Sequence, residues 1–379
     1  MADLTYLGED IPKLGFGLMR LPTLEGGAID LEQTKQMTDL FLERGFRYFD
    51  TAYGYSNGES EKAIKKALVE RYPRESFYLA TKLPAWAGAN NAEEAKQMFY
   101  TSLERTGAGY FDFYLLHNIG ASRTAKFEEY GIWDYVKDLK AKGLVKHWGF
   151  SFHDSAELLD EVLTQHPDAE FVQLQINYAD WESGGVQSRA CHEVAWGKHR
   201  KPVVIMEPIK GGMLANPAPP VKKVFDAADT GASAASWAIR FAASLPGIIT
   251  VLSGMSNLEQ MRDNTGYMQH FKPLDDAERA VISDVQAALA ALPSVPCTAC
   301  KYCVPECPRG IGIPGIFDAM NRELVYGDAA AAKFGYNLET TVFGGAKASE
   351  CVACASCESV CPQKINIIER LKEAAAKYE

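Results

Sequence analysis

The chain lacks an excess of positive charge: in its 379 residues, 39 lysines and arginines face 49 acidic residues, for a formal charge of −10. No dense run of Lys or Arg offsets this balance, so neither a nucleic acid nor an anionic membrane is expected as a partner. No apolar stretch approaches the roughly 18 residues of a spanning helix. The first five residues lack the basic and apolar regions of a secretory signal. We therefore expect a soluble, cytoplasmic protein.

Cysteine is nearly missing from most of the chain. Of nine cysteines, only Cys191 precedes residue 297. It lies in a helix-like segment, 187–198, and is predicted to be an ordinary core or surface residue. The other eight could form disulfides in a secreted protein, but in a reducing cytosol they indicate metal binding.

The eight late cysteines form two arrays, residues 297–308 (CTACKYCVPECP) and 351–362 (CVACASCESVCP). Both have the C-x₂-C-x₂-C-x₃-C-P spacing of bacterial two-cluster ferredoxins, in which the fourth cysteine of each array ligates the other cluster. We therefore predict two 4Fe–4S clusters. One is assigned to Cys297, Cys300, Cys303 and Cys361, and the other to Cys351, Cys354, Cys357 and Cys307.

A pair of zinc sites is the alternative for these arrays. Zinc sites usually combine two C-x₂-C pairs and need neither a third cysteine at the same step nor a trailing Cys-Pro. Every cysteine of one array recurs 54 residues later in the other, which favours clusters. The long spacer between the arrays resembles that of the α-helical ferredoxin modules appended to larger oxidoreductases.

The residues before the arrays have a different pattern. Up to residue 270, short β-rich runs alternate with amphipathic stretches. The predicted strands are 14–20, 48–52, 77–82, 111–117, 145–152, 171–177, 203–207 and 248–253. Most segments between them have helical periodicity, among them 31–44, 92–106, 133–142 and 232–244. Eight such strands predict an α/β fold, a (β/α)₈ TIM barrel.

An open doubly wound sheet is the alternative fold, but it would place Gly-x-Gly-x-x-Gly after the first strand, and residues 14–20 do not supply it. A long helix is predicted at 274–292, and the proline-containing run 293–296 ends it. We expect the barrel domain to span 1–293. A small, mostly α-helical ferredoxin-like domain spans 294–379 and includes a partly helical stretch at 316–333.

Active sites of such barrels lie at the C-terminal ends of the strands. Asp50, Tyr55, Lys82 and His117 follow or end the second, third and fourth predicted strands. A lysine beside a tyrosine favours the phenolate, a carboxylate keeps that lysine charged, and a histidine can hydrogen-bond a carbonyl. This set could protonate a carbonyl oxygen while hydride reaches the carbon. Tyr53 competes with Tyr55 as the acid, and strand spacing alone does not choose between them.

Residues 49–59 (FDTAYGYSNGE) resemble the signature of the aldo-keto reductase family, and the resemblance extends over roughly 10–270. It implies that Tyr55 is the acid. Lys82 and Asp50 would lower its pKa, and His117 would orient the carbonyl. The implied substrate is a small-molecule carbonyl or alcohol.

The same resemblance implies contacts with a nicotinamide cofactor, NAD(P)H. Ser151 and Gln173 match positions that hold the amide, although Phe152 follows where the family usually has asparagine. Ser256 stands where many members have a cation for the 2′-phosphate of NADPH, and the nearest cation is Arg262. The full set of expected cofactor contacts is Ser151, Gln173, Gly211, Gly254, Met255, Ser256, Gln260 and Asn264.

The two parts of the chain move different numbers of electrons. A nicotinamide transfers two as hydride, whereas each cluster passes one at a time, so direct coupling would need a converter such as a flavin. The leading hypothesis is an oxidoreductase barrel served by redox-active clusters, with a ferredoxin or flavodoxin as a possible electron partner. The alternatives are clusters that are structural or oxygen-sensing beside an ordinary reductase, a barrel that uses flavin, and a binding subunit without catalysis.

Overall fold

The computed structural model describes residues 5–121, 123–184, 186–228 and 230–379. Within these residues, eight parallel strands close into a barrel in chain order, and the last strand pairs with the first. They are β1 Leu14–Gly17, β2 Tyr48–Asp50, β3 Tyr78–Leu83, β4 Phe111–Ile119, β5 Val145–Phe152, β6 Phe171–Gln175, β7 Val203–Met206 and β8 Ile248–Ser253. The predicted (β/α)₈ barrel is confirmed.

The predicted strands all exist, and their C-terminal ends account for most of the differences. Strand β1 stops at Gly17 because Leu18–Arg20 form a turn of 3₁₀-helix. Strand β2 stops at Asp50, before a short helical turn at Tyr55–Gly58. In both places apolar residues continue past the strand, so the sequence pattern does not mark where the backbone leaves the sheet.

Helices cover the segments between the strands and most of the C-terminal part. They are α1 Leu31–Glu43, α2 Glu59–Ile64, α3 Ala92–Thr106, α4 Thr124–Glu129, α5 Ile132–Ala141, α6 Ala156–Gln165, α7 Ser188–His192, α8 Pro219–Ala227, α9 Ala234–Ala243, α10 Leu258–Met268, α11 Asp276–Ala290, α12 Ile313–Tyr326, α13 Ala329–Asn337, α14 Ser356–Ser359 and α15 Ile367–Tyr378. No helix in the described ranges is long and apolar enough to cross a membrane.

Capping residues explain why two predicted helices lie where expected. Helix α3 has the predicted bounds because the Asn91 side chain accepts a hydrogen bond from the backbone N–H of Glu94, and Gly107 ends the helix in the left-handed region. Helix α11, predicted at 274–292, begins after a capping box formed by Asp275 and Glu278.

Successive residues of a barrel strand point alternately into the barrel and toward the surrounding helices. In β2, Tyr48 packs inside the barrel with residues of other strands, including Phe113 and Phe171. Phe49, the next residue, instead contacts Phe41 of α1, with ring centroids 5.2 Å apart. The period of two then returns Asp50 to the same side as Tyr48, which places a carboxylate at the end of the barrel interior.

The chain divides into two compact units. The first comprises residues 1–182, 187–208 and 235–274, and holds the eight strands. The second comprises 183–186, 209–234 and 275–379, so the segment that follows β7 groups with the C-terminal residues. The expected domain boundary between 293 and 294 stays a prediction.

The second unit has its own core around the cysteine arrays. Its buried residues include Phe317, Tyr336 and Leu371, and three cysteines, Cys303, Cys357 and Cys361, are buried with them. The stretch predicted as partly helical at 316–333 lies within α12 and α13, which pack together. The helical character expected of the cluster domain is confirmed.

Candidate active site and cysteine cavities

Asp50 and Lys82 form a buried ion pair at the ends of β2 and β3. Lys82 Nζ lies 2.5 Å from Asp50 Oδ1 and 2.7 Å from the carbonyl oxygen of Thr51, and both side chains are at most 3% exposed. Burial is the largest influence on each pKa: it raises the pKa of Asp50 and lowers the pKa of Lys82, and their mutual attraction opposes both shifts. The short contact and the added acceptor hold the ammonium in one position.

Tyr55 lies in the turn after β2, beside this pair. Lys82 Nζ is 3.4 Å from the Tyr55 hydroxyl oxygen and 4.8 Å from the centre of its ring. The turn is anchored by Ser60, whose hydroxyl bonds Thr51 Oγ1 at 2.8 Å. Tyr53, the competing phenol, stacks under the guanidinium of Arg105 at 4.4 Å. Tyr55 is thus the tyrosine whose hydroxyl the structure brings to Lys82.

The pKa of Tyr55 is shifted in the direction opposite to the expectation. Burial raises it well above 10, and the carboxylates of Asp50 and Glu207 add to the rise, while Arg20 opposes it. The expectation that Lys82 and Asp50 lower this pKa is therefore wrong for the net shift, because burial raises the pKa and the charge of Asp50 adds to the rise. Tyr55 carries its proton as a neutral hydroxyl.

His117, on β4, completes the group. Its ring lies edge-on to that of Tyr55 with centroids 6.0 Å apart. Its pKa is lowered well below 6.5, first by burial and then by the charges of Lys82, His153 and Arg123. The imidazole is neutral at neutral pH, so it has one N–H to donate and one nitrogen to accept.

Three neighbours of this site were missed in the sequence. Arg20 follows β1, and its guanidinium lies 3.8 Å from the carboxylate of Glu207, which follows β7. Arg123 lies over the ring of Trp86 at 4.6 Å and bonds Asn118 Oδ1 at 3.2 Å. Arg20 and Glu207 are the last residues of the predicted strands 14–20 and 203–207, so a search of every strand end for charge would have found them. Arg123, in a loop, gave no such signal.

Ser151 and Gln173, expected to contact the nicotinamide, are tied into the same network. Gln173 Nε2 donates to Asp50 Oδ2 at 3.2 Å. Ser151 Oγ accepts from the backbone N–H of Asn118 at 2.8 Å, where β4 has a register shift and Asn118 a positive φ. Both side chains are buried. The structure brings these two residues to the group formed by Asp50, Tyr55, Lys82 and His117, and their cofactor role stays a prediction.

The segment after β8 holds five more of the expected cofactor contacts. Gly254 lies against the side chain of Arg20, and Met255 is buried. The backbone N–H of Ser256 donates to Gln260 Oε1 at 2.7 Å. Asn264 is buried and donates to Ser253 Oγ at 2.9 Å. This segment leads into the N-terminus of α10, a position suited to an anion.

Gly211, the remaining expected contact, belongs to the second unit. Its φ is +67°, and a Cβ there would lie 2.4 Å from the carbonyl oxygen of Thr298. Only glycine fits both the backbone and the close approach. Gly211 therefore packs against the first cysteine array, a role that the family resemblance did not suggest.

The eight cysteines line two cavities in the crossed arrangement expected from ferredoxin spacing. Cys297, Cys300, Cys303 and Cys361 line one cavity of about 320 Å³, partly open to solvent. Cys351, Cys354, Cys357 and Cys307 line another of about 300 Å³. The fourth cysteine of each array lies with the first three of the other, and their role as ligands stays a prediction.

The charges of the thiolates agree with this grouping. Burial raises the pKa of Cys303 to about 12, and Cys300, Cys297 and Cys361 add to the rise. Burial raises the pKa of Cys357 to about 11, with Glu358, Cys351 and Cys307 as further causes. Thiols with raised pKa values bind metal with release of a proton, so a positively charged centre would be needed to hold both sets as thiolates.

The arrangement of the cysteines bears on the zinc alternative. A zinc ion would bring four sulfurs to about 3.8 Å from one another, since Zn–S bonds are about 2.3 Å. Within the described residues, no group of three or more His, Cys, Asp or Glu is arranged to hold one metal ion. Neither group of four cysteines is therefore arranged as a zinc site in the part of the chain that the structure describes.

Cys191, the ninth cysteine, takes no part in either cavity. It is buried in the first unit, and its pKa is raised to about 12, chiefly by burial. The prediction of an ordinary core residue is confirmed.

The barrel, its buried strand-end residues and the cysteine unit together define an oxidoreductase. The model of the aldo/keto reductase family matches residues 13–287, and the chain belongs to this family. A model of a 4Fe-4S dicluster domain matches residues 296–366.

Individual relatives are distant. An aldo-keto reductase of Mycolicibacterium smegmatis is 33% identical over 111 residues, which are 29% of this chain and 36% of the relative. The matches span from about a third to a half of the length of the first curated relatives.

Solved structures share the fold. The holo form of an aldo-keto reductase from Bacillus halodurans is 24% identical, with a TM-score of 0.59 over 74% of this chain and 95% of its own. An aldo/keto reductase from Klebsiella pneumoniae, solved in complex with NADP and acetate, is 20% identical, with a TM-score of 0.59 over 73% of this chain and 92% of its own.

Proposed function

We propose that the barrel interconverts a carbonyl and an alcohol, with Tyr55 as the proton donor. The observation that carries the proposal is the buried Asp50–Lys82 pair, whose ammonium lies 3.4 Å from the Tyr55 hydroxyl. Reduction of a carbonyl adds hydride to carbon and a proton to oxygen. Tyr55 holds that proton because its pKa is high, and the ammonium stabilises the phenolate that remains.

Each neighbour has a defined part in this proposal. Asp50 fixes the position of Lys82, and Gln173 and the Thr51 carbonyl hold the pair from two further directions. Neutral His117 donates a hydrogen bond to the carbonyl oxygen and orients it toward Tyr55. Since the imidazole is uncharged, it does not compete for the proton at neutral pH.

The hydride donor proposed is NADP(H), and a bound nicotinamide would supply hydride to the substrate carbon. Support comes from the segment after β8, which leads to the N-terminus of α10, where phosphate groups bind in barrels of this kind. The exposed Arg262 on that helix offers a cation for a 2′-phosphate. The Klebsiella pneumoniae relative was solved with NADP. The flavin alternative has no such support.

We further propose that the second unit holds two 4Fe–4S clusters that transfer electrons. The fit rests on two cavities of similar size, each lined by four cysteines. A bound cluster accepts or gives one electron, so two clusters together match the two electrons of one hydride. A ferredoxin or flavodoxin is the proposed class of partner.

The test is anaerobic purification followed by cluster analysis and turnover. We expect about eight iron and eight sulfide per chain, and oxidation of NADPH by a panel of small aldehydes and ketones. Reduced ferredoxin should bleach the cluster absorbance. The electron-transfer proposal would be contradicted if the protein contains its clusters and its absorbance spectrum does not change on addition of any electron donor, including NADPH.

One observation favours a second candidate, in which the clusters are structural. Cys303, Cys357 and Cys361 belong to the buried core of their unit, so a cluster would complete that core. Cys354 is exposed, which allows its replacement by serine with the least disturbance of packing. The structural role would be favoured if a folded Cys354→Ser variant, with one cluster altered, shows normal turnover and a normal response to ferredoxin.

A further inference from the structure

One residue that lines the first cysteine cavity is bonded to a residue that is distant in sequence. Gln363 lies two residues after Cys361, lines this cavity, and is 7% exposed. Its Oε1 accepts a hydrogen bond of 2.8 Å from Lys210 Nζ, and 153 residues separate the two in the chain. Lys210 is 4% exposed. The amide of Gln363 is thus buried in the wall beside four cysteines, and it is bonded to a buried ammonium group.

The amide of Gln363 has a free donor. Its Nε2 is buried, and among the residues that the structure describes it has no hydrogen-bond partner. A buried N–H without an acceptor is costly, so a group of this kind requires an explanation such as a bound ion or a redox role. A sulfur acceptor in this cavity would satisfy it.

The loop that carries Lys210 is held against the same array. Gly211 adopts a positive φ and packs against the Thr298 carbonyl, one residue after Cys297. Lys210 itself has a φ of +46°, which is uncommon for a side chain with a Cβ. The backbone at Lys210 therefore has an unfavourable conformation, and this residue is the one whose ammonium group contacts Gln363.

We infer that Lys210 and Gln363 set the reduction potential of the cluster held by Cys297, Cys300, Cys303 and Cys361, raising it relative to the same cavity without them. The inference rests on the proposed clusters. Reduction adds one electron, and the negative charge of a four-thiolate cluster increases. A buried ammonium and an N–H donor toward sulfur both stabilise the more negative state. Burial weakens screening, so the charge acts strongly.

The second cavity has no equivalent in its described lining. Its cation is Arg309, whose side chain is 49% exposed and pairs with Glu350 at 3.1 Å. Solvent and the carboxylate both reduce its effect on a charge in that cavity. Arg309 therefore provides a matched control: a cation beside four cysteines that should have little influence on potential.

The experiment is an anaerobic redox titration of the full-length protein with dithionite, followed by EPR. We expect Lys210→Met to lower one of the two reduction potentials. At a fixed applied potential, the ratio of reduced to oxidised cluster should fall at least tenfold. This change corresponds to a shift of 59 mV for one electron. Lys210→Arg should keep the wild-type potential, and Gln363→Leu should lower it in the same direction. Arg309→Met should shift neither potential by that amount.

Iron and sulfide content separate the possible outcomes. Wild-type protein without two clusters would refute the proposed function. Loaded Lys210→Met with both potentials unchanged would refute only the inference. If Lys210→Met does not load, Gln363→Leu decides, and an unchanged potential there refutes the inference. If neither variant loads, Lys210 and Gln363 act in assembly, and the inference is also wrong.

Discussion

The barrel and the cysteine unit hold their polar groups in different ways. In the barrel, Asp50 accepts hydrogen bonds from both Lys82 and Gln173, so the protein alone supplies the partners of this carboxylate. In the cysteine unit, the sulfurs line two cavities, and the Gln363 amide is left with a donor to satisfy. The charged pair of the first site is satisfied within the folded chain, whereas in the second the proposed clusters would supply the missing acceptor.

The two regions can be followed separately in experiments, because the tryptophans of the chain lie in only one of them. The six tryptophans are Trp86, Trp133, Trp148, Trp181, Trp196 and Trp237. All of them belong to the first unit. Tryptophan fluorescence therefore reports on the barrel, and iron content and visible absorbance report on the cysteine unit.

Removal of the clusters should have the largest effect. We expect chelation under oxidising conditions to unfold the cysteine unit, since its small core includes three of the cysteines and metal binding supplies much of the folding energy of such domains. Limited proteolysis with mass spectrometry should then find new cleavage within 294–379. The tryptophan spectrum should not change. If the tryptophan fluorescence of the barrel is lost in parallel with the iron, the barrel also depends on the clusters, and the expected difference between the two regions does not exist.

Replacement of Tyr55 by phenylalanine should reduce kcat for carbonyl reduction by about 10²–10⁴-fold, because the proton donor is lost. Iron content and cluster absorbance should stay at wild-type levels. Tyr53→Phe is the matched control, since that ring stacks on Arg105, and its kcat should stay within about twofold. Equal losses in both variants would contradict the assignment of Tyr55.

Replacement of Lys82 by methionine should destabilise the barrel by about 3–5 kcal/mol, because it leaves the Asp50 carboxylate buried without its partner. Urea denaturation followed by tryptophan fluorescence measures this change. The double variant Asp50→Asn, Lys82→Met should recover part of the loss, since no buried charge remains. A double variant no more stable than Lys82→Met alone would contradict an energetic coupling of the pair.

The sequence predicted the barrel better than it predicted the site. Alternating strands and helices identified all eight strands, and two of them, β5 and β8, have the expected bounds. The spacing of the cysteines anticipated the crossed grouping around two cavities. Both signals are local and repeat along the chain, so one sequence is enough to read them.

Contacts between distant segments were not predictable in this way. Lys210 and Gln363 meet across 153 residues, and neither belongs to a recurring pattern. The net pKa shift of Tyr55 depends on burial and on Glu207, which only the closed barrel brings near. These features arise from packing in three dimensions, and no periodic pattern in the sequence predicts them.

The pH dependence of barrel stability should reflect His117. Its folded pKa lies well below the unfolded value of about 6.5, so below pH 6.5 the unfolded chain binds a proton that the folded barrel does not. Stability from this residue is full above pH 6.5 and is lost as the pH falls, by up to about 1.4 kcal/mol per unit. His117→Asn should lower that slope by up to one proton, as measured by urea denaturation with tryptophan fluorescence between pH 5 and 8.

The smallest effect is expected at Arg262, which tests whether the barrel distinguishes its cofactor by charge. The side chain is exposed on α10, so its attraction to a 2′-phosphate is screened by salt. We expect Arg262→Ala to raise KM for NADPH by up to about tenfold, which is about 1.4 kcal/mol, and to leave KM for NADH unchanged. The difference should shrink at high ionic strength. Lys272→Ala, an exposed cation in the same unit, is the control. An equal change for both cofactors would mean that Arg262 contacts a feature they share, and Arg20 beside Gly254 would then be the cation to test for the phosphate.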